Sequence, residues 1–67
     1  MSFYSVREID HARDRNNAVI LVGNQVFYEQ DVTSQKVEKI VHNYGGAVLF
    51  LKNGLRFAAH ECWIDRR

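Results

Sequence analysis

Two apolar runs, Ala47-Val48-Leu49-Phe50-Leu51 and Leu55-Arg56-Phe57-Ala58, are separated only by Lys52-Asn53-Gly54. An Asn-Gly step in that setting predicts a reversal of the chain and two paired strands. A type I′ turn needs positive φ at both central residues, and Asn and Gly tolerate this best. With Asn53 and Gly54 as a two-residue loop, Lys52 faces Leu55, Leu51 faces Arg56, Phe50 faces Phe57 and Leu49 faces Ala58. Phe50 and Phe57 would then form a cross-strand aromatic pair.

Size limits what this hairpin can be part of. The chain has 67 residues, enough for one domain, and a domain this small buries only about 60% of its unfolded surface. Such scaffolds need a disulfide, a metal, oligomerisation or dense packing. A single cysteine, Cys62, excludes an internal disulfide and fits a reducing, cytoplasmic setting. The N-terminal residues MSFYSVREID lack the basic-then-apolar order of a secretory signal. No apolar run approaches the roughly 20 residues needed to span a bilayer. Packing, with a second copy as a further source of burial, is left to stabilise the fold.

Charge narrows the partners. Nine Lys and Arg oppose eight Asp and Glu, giving a net charge of +1. That is too balanced for the strong basic excess typical of nucleic-acid binders. Arg7, Arg13 and Arg15 gather near one end and Arg66 and Arg67 near the other, with Glu8, Asp10, Asp14 and Asp65 between them.

Along the chain, residues 2–9 suit a strand or an extended arm, with Phe3, Tyr4, Val6 and Ile9 as its apolar members. Residues 10–17 (DHARDRNN) read as a polar loop. Residues 18–22 (AVILV) form a β-branched strand, and Gly23-Asn24 predicts a tight hairpin to residues 25–29. Val22 then faces Gln25, and Ile20 faces Phe27. Both faces of this strand are apolar, which calls for cover on both sides. Residues 34–44 fit two templates. Val37, Ile40, Val41 and Tyr44 follow i, i+3, i+4, i+7, the spacing of an amphipathic helix. The same residues are good strand formers, and Asn43-Tyr44-Gly45-Gly46 also suits a hairpin loop. After the central hairpin, residues 60–65 read as a short irregular or 3₁₀ turn followed by a brief strand.

From Gly23 to Trp63 the order is a Gly-x-x-Val-Phe-Tyr strand, Lys-Val-Glu-Lys-Ile, an apolar strand, Lys-Asn-Gly-Leu-Arg-Phe, and Ala-His-Glu-Cys-Trp. This order resembles small SH3-like β-barrels of the KOW and Tudor type, including short bacterial and phage proteins. It spans residues 23–64, about two-thirds of the chain. The resemblance implies a strand at residues 36–41, a barrel of about five strands, and a 3₁₀ turn before the last one. The expected fold class is therefore mainly β, a small SH3-like barrel. The alternative is α+β, ββαββ, with a helix at 34–44. The strand at 18–22 and the segment before it have no counterpart in the resemblance.

Chemistry is sparse. His60, Cys62 and either His42 or His11 make a poor metal set, because structural zinc favours four closely spaced ligands. Nothing in the sequence orients a histidine toward Cys62, so Cys62 reads as a small buried residue and His60 as a polar turn residue. Neither phosphate-binding glycine motif occurs. No carboxylate sits where its context would raise its pKa for catalysis. No cofactor, metal or catalytic residue is expected. Phe50, Phe57 and Trp63 are assigned to the core, and Phe3, Tyr4 and Tyr44 to the surface.

These readings converge on a non-enzymatic protein–protein interaction module that self-associates, a phage-like or bacterial accessory protein. Its contact elements are the edge of the 18–29 hairpin, the arginine-bearing ends with Arg13 and Arg15, and the exposed rings Phe3, Tyr4 and Tyr44. The alternative is an RNA- or DNA-binding barrel using Lys36, Lys39, Arg56, Arg66 and Arg67.

Overall fold

The computed structural model describes residues 7–30, 32–43 and 45–66. Phe3, Tyr4, Tyr44 and Arg67 therefore lie outside the described residues. The chain is mainly β. Its strands are β1 (Arg7–Ile9), β2 (His11–Arg13), β3 (Val19–Leu21), β4 (Gln25–Phe27), β5 (Gln35–Asn43), β6 (Gly46–Leu51), β7 (Arg56–Ala58) and β8 (Trp63–Ile64). A 3₁₀ turn, Ala59–Glu61, precedes β8 as expected.

The main sheet runs in the order β7-β6-β5-β4-β8, with β1 also paired to β5, while β2 and β3 form a separate two-stranded sheet. Among the described residues no β7–β8 pairing closes the main sheet into a ring.

Residues 35–43 are strand, as the resemblance implies, and the helical alternative falls. The helix-like spacing has a local cause. The register of β5 against β6 slips by one residue between Val37, opposite Leu51, and Lys39, opposite Phe50. An extra residue in one strand shifts the alternation of faces. Val37 and Ile40, three apart, therefore both point inward and are fully buried.

The central hairpin forms, but one residue out of the expected register. Phe50 faces Arg56, Leu49 faces Phe57 and Val48 faces Ala58. The Leu51 N–H donates to Leu55 O at 2.9 Å, and the Gly54 N–H donates to Leu51 O at 2.9 Å. Lys52, Asn53 and Gly54 thus make a three-residue loop in which Gly54 alone takes positive φ, at 89°. Such loops pair a type I turn with a left-handed glycine. The Asn53 side chain accepts the Leu55 N–H at 3.0 Å, a donor that a two-residue loop would commit to Lys52 O. Phe50 and Phe57 consequently point to opposite faces.

Residues 10–17 are a loop only in their second half, where 14–17 form a turn. His11–Arg13 is a strand with alternating exposure, and only Ala12 is buried, so one small apolar residue suffices to seat it. The expected 18–29 hairpin is absent: β3 pairs with β2, in the register His11–Leu21, Ala12–Ile20 and Arg13–Val19. Asn24 turns the chain away instead. Its side chain accepts the Leu21 N–H at 2.8 Å, and its backbone N–H donates to Leu21 O at 3.0 Å. The Gly23 N–H then donates to Val37 O, and the Val37 N–H to Asn24 O, both at 2.8 Å. The Gly-Asn pair is spent on delivering β4 to β5.

The core is aliphatic: Ile20, Val26, Val37, Ile40, Leu49 and Cys62 are fully buried, with Ala12, Leu51 and Ala59 nearly so. The expected aromatic core is not found. Phe50, Phe57 and Trp63 are each half-buried, and only Phe57 packs against the core cluster.

One buried carboxylate fastens the hairpin to the end of the sheet. Asp14 Oδ1 accepts the N–H groups of Asn16 and Ala18, both at 2.8 Å. Its Oδ2 accepts the Ile64 N–H at 3.1 Å, and next to it the Arg15 N–H donates to Cys62 O at 2.9 Å. Burial is the largest single influence on this group and would raise its pKa. The N–H groups of Ala18, Ile64 and Asn16, with the charge of Arg66, together outweigh it and hold the pKa below 3.8. A carboxyl with a lowered folded pKa contributes stability above its unfolded pKa, and that contribution fades as pH falls through the folded value. Asp14→Asn should lower unfolding free energy at pH 7 by about 2 kcal/mol. Urea melts should also show the variant losing less stability than the parent on acidification below pH 3.8. Equal acid sensitivity in the two proteins would refute this role.

Candidate recognition surfaces

Residues opposite one another in an antiparallel pair project from the same face. The row Ile40–Leu49–Phe57 faces the core, so the row Lys39–Phe50–Arg56 faces outward. Lys39 Nζ lies 4.7 Å from the Phe50 ring centroid, and the Arg56 guanidinium carbon lies 5.5 Å from it. A cation held at such distances is attracted by the ring's negative face. Lys36 alternates with buried Val37 and is exposed, so it projects the same way. The Lys52 N–H donates to Lys36 O at 2.9 Å, which places that exposed lysine at the same end of the sheet. Among the described residues, none of these four cations makes an ion pair. The acidic residues nearest in sequence and register are Glu38, at the register slip, and Glu8, opposite Val41.

A second cation–aromatic group lies at β4 and β8. Phe27 and Trp63 face each other and stack, with centroids 5.8 Å apart and planes 26° off parallel. Arg15, from the β2–β3 turn, sits 5.3 Å from the Trp63 ring. On the inner side Tyr28 stacks on Phe57 at 4.4 Å and 14°.

The outward face of the β2–β3 hairpin is apolar with a basic flank. Val19 is 42% exposed, Leu21 49% and Val22 46%, while His11 and Arg13 stand opposite Leu21 and Val19. Arg13 donates to Asn17 O at 3.0 Å, bracing the turn. His11 Nδ1 lies 2.8 Å from Asp10 Oδ1. That side-chain hydrogen bond, with the Asp10 backbone and the nearby imidazole charge, lowers the Asp10 pKa.

The structure thus brings Lys36, Lys39 and Arg56 together, adds Lys52 and Phe50, and leaves Arg66 apart near Asp14. Arg13 and Arg15 serve two different surfaces, one at the hairpin face and one at Trp63. Lys52 escaped the sequence reading because the shorter loop put it inside the strand pair. The outward aim of Phe50 escaped it because the assumed register paired that ring with Phe57.

His60 is exposed on the 3₁₀ turn and Cys62 is fully buried, as their sequence context suggests. Among the described residues no three His, Cys, Asp or Glu side chains converge on a metal-sized site. Burial, then the charges of Glu61 and Asp14, push the Cys62 thiol up to about 11. Among those residues no helix is long and apolar enough to cross a membrane. Comparison with known protein families, curated proteins and solved structures returns no match to the chain.

The Cys62 environment sets a chemical expectation. The thiolate is the reactive form of cysteine, so a buried thiol with so high a pKa should resist a disulfide-exchange reagent at pH 8 until the protein is unfolded. Rapid labelling of the native protein would show that residues 59–64 open readily.

Proposed function

We propose that this chain is a non-enzymatic protein–protein interaction module, and that the outward face of the β2–β3 hairpin is its docking surface. The observation carrying this reading is the exposure of three large apolar side chains, Val19, Leu21 and Val22, on a single turn-and-strand segment. Exposed apolar residues scattered singly need no explanation, but a contiguous group marks a contact surface. The hairpin beneath them is held firmly, by Ile20 and Ala12 in the core and by the Asp14 carboxylate at its turn. A docking surface fixed in advance loses little entropy on binding.

The mode of contact is through side chains. Both outward backbone groups of Leu21 are taken by Asn24, so the β3 side of the hairpin has no continuous edge to which a partner strand can add. Arg13 and His11 beside the apolar group favour a partner segment that is apolar with acidic flanks.

The strand order β7-β6-β5-β4-β8, with the 3₁₀ turn before β8, supports the SH3-like reading of the fold. The corresponding biological reading is a small accessory protein of bacterial or phage type, cytoplasmic, whose copies pair through Val19, Leu21 and Val22 until an acidic-apolar partner, better matched to Arg13 and His11, displaces the second copy. It binds and modulates another protein.

Leu21→Glu places a charge at the centre of the face without touching the core. Its melting temperature should stay within a few degrees of the parent, as surface changes usually cost less than about 0.5 kcal/mol. Sedimentation velocity at micromolar concentration should show association in the parent and a lone protomer in the variant. A parent that sediments only as a monomer, together with acidic-apolar peptides that bind parent and Leu21→Glu alike, would end the proposal.

A further inference from the structure

We infer that the outward face of β5, β6 and β7 binds single-stranded nucleic acid, with Lys39 and Arg56 contacting phosphates and Phe50 stacking on a base. This surface is separate from the hairpin face, so either reading can fail without the other.

Two features together select the ligand. Lys36, Lys39 and Arg56 gather on one face, with Lys52 at the Lys36 end of the sheet, in a protein whose total charge is only +1. The balance of the whole chain therefore hides a local concentration of positive charge. None of the four makes an ion pair among the described residues, and Lys39 and Arg56 stand on the two sides of one aromatic ring. Phosphate groups are attracted to such cations, and binding releases the counterions condensed on the nucleic acid.

The ring then discriminates among polyanions. Phe50 is only half-buried and lies outside the core cluster, which closes without it. An aromatic side chain between exposed cations offers a π-face to an unpaired base, and every base can use it whatever the sequence. A base paired within a duplex is already stacked and cannot reach it. When a strand lies along the face, the Lys39 and Arg56 side chains exchange the ring for phosphate oxygens and the base takes their place. Glu8 and Glu38 border the face and limit the track to a few nucleotides. The binding expected is weak, salt-sensitive and indifferent to sequence.

Fluorescence anisotropy with a labelled oligothymidylate of about 15 nucleotides tests this directly. Affinity should fall steeply between about 50 and 200 mM salt, and an unlabelled single strand should compete better than a duplex of equal length. The double variant Lys39→Ala/Arg56→Ala should reduce the slope of log affinity against log salt by about 1.4, the value for two lost single-strand phosphate contacts. Phe50→Leu should cost roughly tenfold in affinity and leave that slope unchanged. Arg7→Ala, which removes one charge elsewhere, should match the parent. Thermal melts by circular dichroism confirm that each variant is folded. Three results would each overturn the proposal: no binding by the parent at about 20 mM salt, equal competition by duplex and single strand, or a folded Phe50→Leu that binds as the parent does.

Discussion

The backbone of β5 is hydrogen-bonded along both edges, and the rest of the fold follows from how one of those edges is divided. Strand β6 takes one side almost end to end. The other side is shared by three segments in succession: β4 at residues 35 and 36, Gly23 and Asn24 at Val37, and β1 at residues 40–42. No buried peptide group can be left without a partner except at considerable cost. The edge of β5 therefore dictates where the chain must return. The register slip between Val37 and Lys39 falls where the edge passes from β4 to β1. A bulge bends a strand and increases its twist, which lets one strand belong to two differently directed parts of the sheet.

Much of this was legible in the residues, and the failures share a form. The hairpin about Asn53-Gly54, the 3₁₀ turn at residues 59–61 and burial of Cys62 all rest on short-range chemistry and were read correctly. The register of the hairpin was not, because Asn-Gly suits a two-residue loop and also the second half of a three-residue one. Residues 35–43 illustrate the opposite case. One extra residue imitates a helical period, and local periodicity cannot tell a bulged strand from a helix. Asp14 was invisible as anything but a surface charge. Its role depends on an N–H group that sequence places far away, at Ile64.

The surfaces follow from the size of the core. Fully buried positions are filled by Ile, Val, Leu and Cys, and the interior takes rings only at its margin, where Tyr28 and Phe57 stack against it. Phe50 is therefore held on the outside between two cations, and Phe27 and Trp63 stack on each other with Arg15 over the Trp63 ring. The hairpin of β2 and β3 solves a different problem. It covers Ile20 and Ala12 with one face and leaves its other face apolar. A single residue, Asp10, joins β1 to β2, so the hairpin leaves the main sheet without a loop of its own.

The hydrogen bond from Ile64 to Asp14 joins positions 50 residues apart, and this carries a consequence for biosynthesis. Contacts so distant along the chain close slowly and cannot guide early steps. While the polypeptide is still emerging from a ribosome, the turn at residues 14–17 already has its two local donors, but the third has not yet been made. Until then one carboxylate oxygen stays in water and the hairpin lacks its anchor. The anchor of an N-terminal hairpin is thus completed by a residue that is among the last to be synthesised.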